Sequence, residues 1–188
     1  VLPNVVAGGA ERVMLNLFAQ LRNEKFDTSI VVLCKPEQQV SWFKEHENIS
    51  NLNCSRVFFS LFKLRSFLSS FPNKLVVSSH VHVNILILFL SVFEKRMPVV
   101  VREANMPMDC LEFGHWPRLY KFLYRILLPR AVKVIVSSGK MAKQFREHFR
   151  VHSEKLLLIN NPIDVELIQN SVSKDSQLQM TGRHFVAV

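Results

Sequence analysis

Gly8 and Gly9 stand side by side in VLPNVVAGGAERVMLNL, and Glu11 and Arg12 follow at once. A glycine pair lets the backbone turn tightly and lets another molecule come close to it. If a helix starts there, its free N–H groups favour an anion, which makes Gly8, Gly9 and Arg12 a candidate phosphate loop. Glu11 suits the first turn of a helix whatever the function, whereas Arg12 runs against that preference and is the better candidate for touching phosphate or an acceptor. Other polar groups gather elsewhere in the chain. His80 and His82 are two residues apart, a spacing that a metal accepts. No third ligand accompanies them in the sequence, so no metal is expected. They are candidates to line an acceptor groove, or they are plain surface histidines. Arg102, Glu103 and Asn105 follow the apolar residues 99–101, either as cleft residues or with an Arg–Glu ion pair holding the loop. Ser137 and Ser138 close another apolar run, and NNPID at 160–164 supplies Asn161, Pro162 and Asp164 as a candidate hinge.

The elements that must position these residues alternate. Residues 1–2 read as the end of a strand with Pro3 at its exit. Val13, Met14, Leu17, Phe18 and Leu21 then recur as one buried helical face. Residues 29–33 (SIVVL), 75–80, 99–104, 132–138 and 155–159 read as short β-branched strands. Helical stretches follow at 84–93, 116–128 and 140–149. Strands alternating with amphipathic helices predict an α/β fold, a parallel sheet flanked by helices. In such sheets ligands bind beyond the carboxyl ends of the strands, where every candidate above falls.

Composition narrows the choice. With 48% hydrophobic and 21% charged residues, the chain can bury a real core. Its formal net charge of +9 suits an anionic partner. No nucleic-acid-binding signature accompanies that charge, so nucleic acid is not expected. Cys34, Cys54 and Cys110 are odd in number and widely spaced, which suits reduced thiols and a cytoplasmic setting. The apolar run at 85–93 is too short for a span and predicts a buried helix. Five phenylalanines, Phe58, Phe59, Phe62, Phe67 and Phe71, are interleaved with Lys63 and Arg65. They read mostly as core, with an exposed docking patch as the alternative. Arg118, Lys121 and Arg125 recur at helical steps beside Leu119, Phe122, Leu123 and Leu127. That pattern fits an ordinary helix with one solvated face, or a helix lying on anionic lipid.

The glycine spacing is not the G-x-G-x-x-G of a dinucleotide loop, which disfavours a nicotinamide or flavin oxidoreductase and an epimerase. GGAERV after a proline-containing strand exit instead resembles the start of the group 1 glycosyltransferases. VVVREANMP, AVKVIVSSGKMAKQF, NNPID and HFVAV resemble further segments of the same family in the same order. Val132-Lys133 replaces the usual Ala-Asp, and Arg102-Glu103 stands where many members carry a cleft histidine.

The resemblance implies the Rossmann-like N-terminal half of a two-domain GT-B enzyme. It divides the chain into an acceptor-side domain at 1–170, a linker at 171–183 and the start of a donor-binding domain at 184–188. It implies retaining transfer of a hexosyl or N-acetylhexosaminyl group from a UDP- or GDP-sugar, in bacterial polysaccharide or glycolipid synthesis. The donor's own leaving phosphate would accept the proton, and no catalytic residue is assigned. On this reading Gly8, Gly9 and Arg12 face the donor phosphates. Glu11, His80, His82, Arg102, Glu103, Asn105, Ser137 and Ser138 line the acceptor cleft. The fragment alone would bind no cofactor and would be inactive without its C-terminal domain. Its partners would be a sugar or lipid-linked glycan and an anionic membrane surface, with the protein peripheral on the inner face of the cell membrane. The competing reading is a non-catalytic Rossmann-like module that binds a sugar or a phospholipid.

Overall fold

The computed structural model describes residues 1–4, 8–35, 48–94, 97–112 and 116–162. Asp164, the expected linker at 171–183 and the segment at 184–188 lie outside the described residues. Among the described residues six strands and six helices follow one another: α1 (Gly9–Asn23), β1 (Ile30–Cys34), β2 (Ile49–Cys54), α2 (Leu61–Ser69), β3 (Val76–Ser79), α3 (Val81–Phe93), β4 (Val99–Arg102), α4 (Pro107–Glu112), α5 (Pro117–Leu127), β5 (Lys133–Val136), α6 (Gly139–Phe149) and β6 (Leu156–Leu158). β1 pairs with β2, and β3, β4, β5 and β6 pair in that order; every pairing is parallel.

The first residues join the two sets. Leu2 N donates to Val31 O at 2.9 Å, Leu33 N to Leu2 O at 3.1 Å and Cys34 N to Pro3 O at 2.8 Å. On the other side, the Val1 nitrogen donates to Val77 O at 2.6 Å. Spatial order is therefore β2, β1, the Val1–Leu2 stub, β3, β4, β5, β6. Chain order runs outward from the stub on one side and then restarts at β3 on the other. That is the reversal of a doubly wound Rossmann-like sheet, and its switch point lies between the stub and β3.

Side-chain alternation along β1 separates two apolar layers. Ile30 and Val32 join Leu2, Met14, Leu15 and Phe18 beneath α1. Val31 and Leu33 join the larger layer with Leu64, Leu68, α3 and α6 on the opposite face. α3 is apolar almost all round because it lies within that layer, with Val83, Ile87 and Leu88 fully buried. It is also too short to cross a bilayer: among the described residues no helix is long and apolar enough to do so.

Three elements depart from the sequence reading. β2 (ISNLNC) is an edge strand whose asparagines sit on its exposed positions, so it lacks the β-branched run of the inner strands. α4 is a short helix that the sequence reading left out. Residues 57–69 form a 3-10 turn running into α2, of whose residues Leu64 and Leu68 are buried. The expectation that the phenylalanines are mostly core fails for Phe58, Phe59 and Phe62, which are 44%, 68% and 78% exposed. Cys34 and Cys54, far apart in sequence, are Cα partners across β1 and β2, and both are free thiols. Burial, and then the neighbouring Cys54, push the Cys34 thiol above its usual value.

Since Leu88 is 0% exposed at the centre of this layer, Leu88→Ala is expected to cost about 2–5 kcal/mol in urea denaturation. A change under about 1 kcal/mol would show that α3 is not part of a close-packed core.

Candidate functional site

The glycine pair opens α1, with Gly8 as its N-cap in an extended conformation. The two glycines do different things. A Cβ on Gly8 would collide with Glu11 Oε2, while one on Gly9 would meet nothing within 4 Å among the described residues. The Glu11 carboxylate thus folds back over Gly8, where the positive end of the helix dipole favours it. The space made by Gly8 is filled from within the chain, and the open approach to the helix tip lies at Gly9.

Glu11 is 3% exposed. Its Oε1 lies 3.4 Å from His80 Nε2, across the switch point from the exit of the Val1–Leu2 stub to the exit of β3. His80 is the N-cap of α3, with φ 78° and ψ 136°, a backbone conformation that a residue with a side chain adopts at a cost. Its Nδ1 is buried and has no hydrogen-bond partner among the described residues. A strained backbone and an unpartnered ring nitrogen meet in one residue beside a buried carboxylate. This is the feature of the site that packing alone does not explain.

Arg102 ends β4 and is 5% exposed. Its Nη1 donates to Ser79 Oγ at 3.3 Å and its Nη2 to Asn161 Oδ1 at 2.9 Å. Burial pulls the guanidinium below its ordinary value, while the fields of Glu103 and Glu11 oppose that shift. The side chain therefore stitches the exits of β3, β4 and β6 together.

Glu103 takes a separate path. Its Oε1 accepts from Asn84 Nδ2 at 2.5 Å and from the Tyr124 hydroxyl. Asn84 also donates to Arg102 O at 3.2 Å and accepts from Ser78 Oγ at 2.7 Å. The loop-holding ion pair is not what forms: Arg102 and Glu103 make no contact within salt-bridge range among the described residues, and each finds neutral partners instead. Burial pushes the Glu103 carboxyl up to about 7, against the Tyr124 and Asn84 hydrogen bonds and the charge of Arg102, which pull it down.

The remaining candidates scatter. His82 is exposed and sets its ring edge-on to Tyr120 at 5.1 Å. Partial burial, and then His80, lower its pKa. Arg12 and Asn105 are exposed. Ser138 caps α6, its Oγ accepting from Met141 N at 3.2 Å, and Ser137 precedes it half-buried. Asn161 and Pro162 are exposed at the exit of β6. Among the described residues no group of His, Cys, Asp and Glu side chains could hold a metal. Sequence reasoning missed Ser78, Ser79, Asn84 and Tyr124. A signal existed for Asn84: an amide inside an otherwise apolar helix must find partners or pay for its burial.

Gly8→Ala is expected to cost about 1 kcal/mol more than Gly9→Ala in thermal denaturation, because only the first displaces a buried carboxylate. Equal costs would mean that Glu11 relaxes freely. The second expectation concerns pH. Glu103 ionises less readily in the folded chain, at about 7 against an ordinary 4.5, so the folded state keeps the proton longer. Stability contributed by this group is therefore complete below the lower value and falls as pH rises through the window to about 7. Glu103→Gln should gain about 3 kcal/mol relative to the parent between acid and alkaline ends of that window. A difference that does not change with pH would place the carboxyl in a wetter setting.

These strand-end groups lie within a match to a known family. The family model described as Glycosyltransferase Family 4 matches residues 7–167. No curated protein matches the chain. The matched span takes in both glycines, the Glu11–His80 contact, Arg102 and the Asn161 turn, and covers most of the sequence. The chain belongs to glycosyltransferase family 4.

Proposed function

We propose that this chain is the acceptor-side domain of a retaining, nucleotide-sugar-dependent glycosyltransferase of GT-B architecture. The transferred group is a hexosyl or N-acetylhexosaminyl unit. The donor is a UDP- or GDP-sugar, and the acceptor is a sugar or lipid-linked glycan of bacterial polysaccharide or glycolipid synthesis. Supporting this reading is one observation above the rest: Glu11 and His80 meet across the switch point, with the buried Arg102 at the neighbouring exit of β4, inside a family 4 domain. Ligands of doubly wound sheets bind there.

Each group then has a role. The helix tip is open at Gly9, and Arg12 is exposed one turn along, so a diphosphate approaches from that side and not over Gly8. As the glycosidic bond to phosphate breaks, negative charge grows on the leaving oxygen. Cationic and N–H groups fixed in advance stabilise that charge more than they stabilise the ground state. The leaving phosphate accepts the proton of the incoming hydroxyl, so the protein need not supply a nucleophile. His80, held by Glu11 through Nε2, lines the acceptor side of the crevice at the exit of β3. Arg102 keeps the surrounding exits in register through Ser79 and Asn161.

The test uses the uninterrupted gene product and a panel of UDP- and GDP-sugars, with and without membrane extract. Consumption of one donor, stimulated by an acceptor in the extract, is the expected result. Failure to consume any donor would favour the non-catalytic sugar- or phospholipid-binding module. Gly9→Leu separates ligand approach from folding, since a Cβ there meets nothing within 4 Å among the described residues. It should leave the melting temperature nearly unchanged and raise the donor KM. Arg12→Gln should lower kcat/KM about tenfold or more through loss of a charge-assisted contact. Unchanged donor KM in both variants would move the phosphates away from this loop.

A further inference from the structure

The face formed by the 57–69 segment and α5 is independent of the strand-end site and has no explanation in it. On α5, Tyr124 and Leu127 are buried, yet Leu119, Phe122 and Ile126 on the outward face are 47%, 60% and 54% exposed. Positions 119, 122 and 126 share that face at steps of three and four residues. Trp116, at the start of the helix, is 66% exposed. Phe58 stacks on Tyr120 with ring centroids 6.3 Å apart, which brings Phe59 and Phe62 of the preceding segment into the same neighbourhood. A shallow apolar hollow of about 310 Å³ runs between Phe58, Trp116, Leu119, Tyr120 and Leu123. The aromatic side chains are thus gathered on one side of the molecule, though they come from segments about sixty residues apart in sequence.

The two stretches that form this face carry charge of one sign, with Glu94 at its border 3.9 Å from Arg65 Nε. Residues 56–71 carry three Lys or Arg and residues 116–130 carry four, and neither stretch contains an Asp or Glu. The whole chain, by contrast, has 24 basic and 15 acidic residues, so the asymmetry is local. Arg118 and Arg125 are exposed, and their positions fall on the flank of the outward face that carries Phe122. Neither makes a salt bridge among the described residues. The arrangement has outward aromatics to enter an apolar layer and cations beside them to meet phosphate, with Trp116 at the edge where an amphipathic ring sits best.

We propose that this composite face, and not α5 alone, docks the protein on an anionic lipid bilayer. Phe59, Phe62, Phe122 and Ile126 enter the headgroup–acyl boundary, while Arg118 and Arg125 lie at the level of the phosphates. The one-signed charge selects this occupant over an apolar protein groove, since a second copy of the same face would bring like charges together.

The test is co-sedimentation of the purified protein with vesicles of phosphatidylcholine alone and of phosphatidylcholine mixed with phosphatidylglycerol. Expected results are binding to the mixed vesicles only, weakened by raised salt. The double variant Arg118→Gln/Arg125→Gln should bind about tenfold or more weakly. Phe62→Ser/Phe122→Ser should lose binding while keeping the parent's circular dichroism and melting temperature, since both side chains are exposed. Equal binding to neutral and anionic vesicles, or full binding by either variant, would overturn the proposal. So would the absence of vesicle binding, whether the parent is then monomeric or forms a dimer that Phe62→Ser/Phe122→Ser abolishes in ultracentrifugation. Donor consumption plays no part in these readouts, so they stand or fall apart from the transferase reading.

Discussion

The amide of Asn84 holds the centre of this domain together. It sits fully buried in a helix that is otherwise apolar, and it meets β3 through Ser78, β4 through the Arg102 carbonyl and Glu103, and α5 through Tyr124. A buried amide left unpaired costs on the order of 1–3 kcal/mol, so the elements around it have one satisfactory arrangement and few near-misses. The network also turns Glu103 inward. With Glu103 engaged there, Arg102 on the adjacent position is free to point the other way, to Ser79 and Asn161. The inner network and the outer site are therefore built from consecutive residues of one strand.

That division of labour explains why polar side chains gather at the strand exits. β3 ends at a residue in a strained conformation, and β4 ends at a buried cation. Strain and buried charge persist only where the surroundings over-determine them. Here the parallel sheet supplies the determination: register pairs Ser79 with Arg102, and backbone hydrogen bonds fix both chains up to their last residues. The Val1–Leu2 stub completes the frame by carrying the glycine turn to within reach of His80. Membership of glycosyltransferase family 4 fits this construction, in which polar groups are placed on the exits and the core is left to packing.

Much of this was legible in the sequence, and the reasons for the gaps are specific. Inner strands such as VVVR and KVIV announce themselves because parallel strands are covered on both faces and must be apolar throughout. The edge strand ISNLNC carries polar residues on its open side and so gives no such run. The helix of LFKLRSFLS is hidden by its own richness in apolar residues, which blurs the 3.6-residue period and suggests core where much of the surface is bare. Gly8 was legible as a special position, but not why: the space it leaves is claimed by Glu11, a contact between residues three apart that composition does not express. Of the two readings of Arg102 and Glu103, cleft residues or an ion pair, the ion pair rests on their being adjacent in sequence. In a strand, neighbours point to opposite faces, and that geometry separates them.

The bond from Arg102 to Asn161 has a mechanical side. Asn161 lies past the last described strand, on the backbone that leads out of the sheet. Any tug on that outgoing backbone is delivered first to a guanidinium that also grips Ser79, so the load falls on the mouths of β3 and β4 before it reaches the sheet. A single side chain thus ties the backbone beyond β6 to the mouths of β3 and β4.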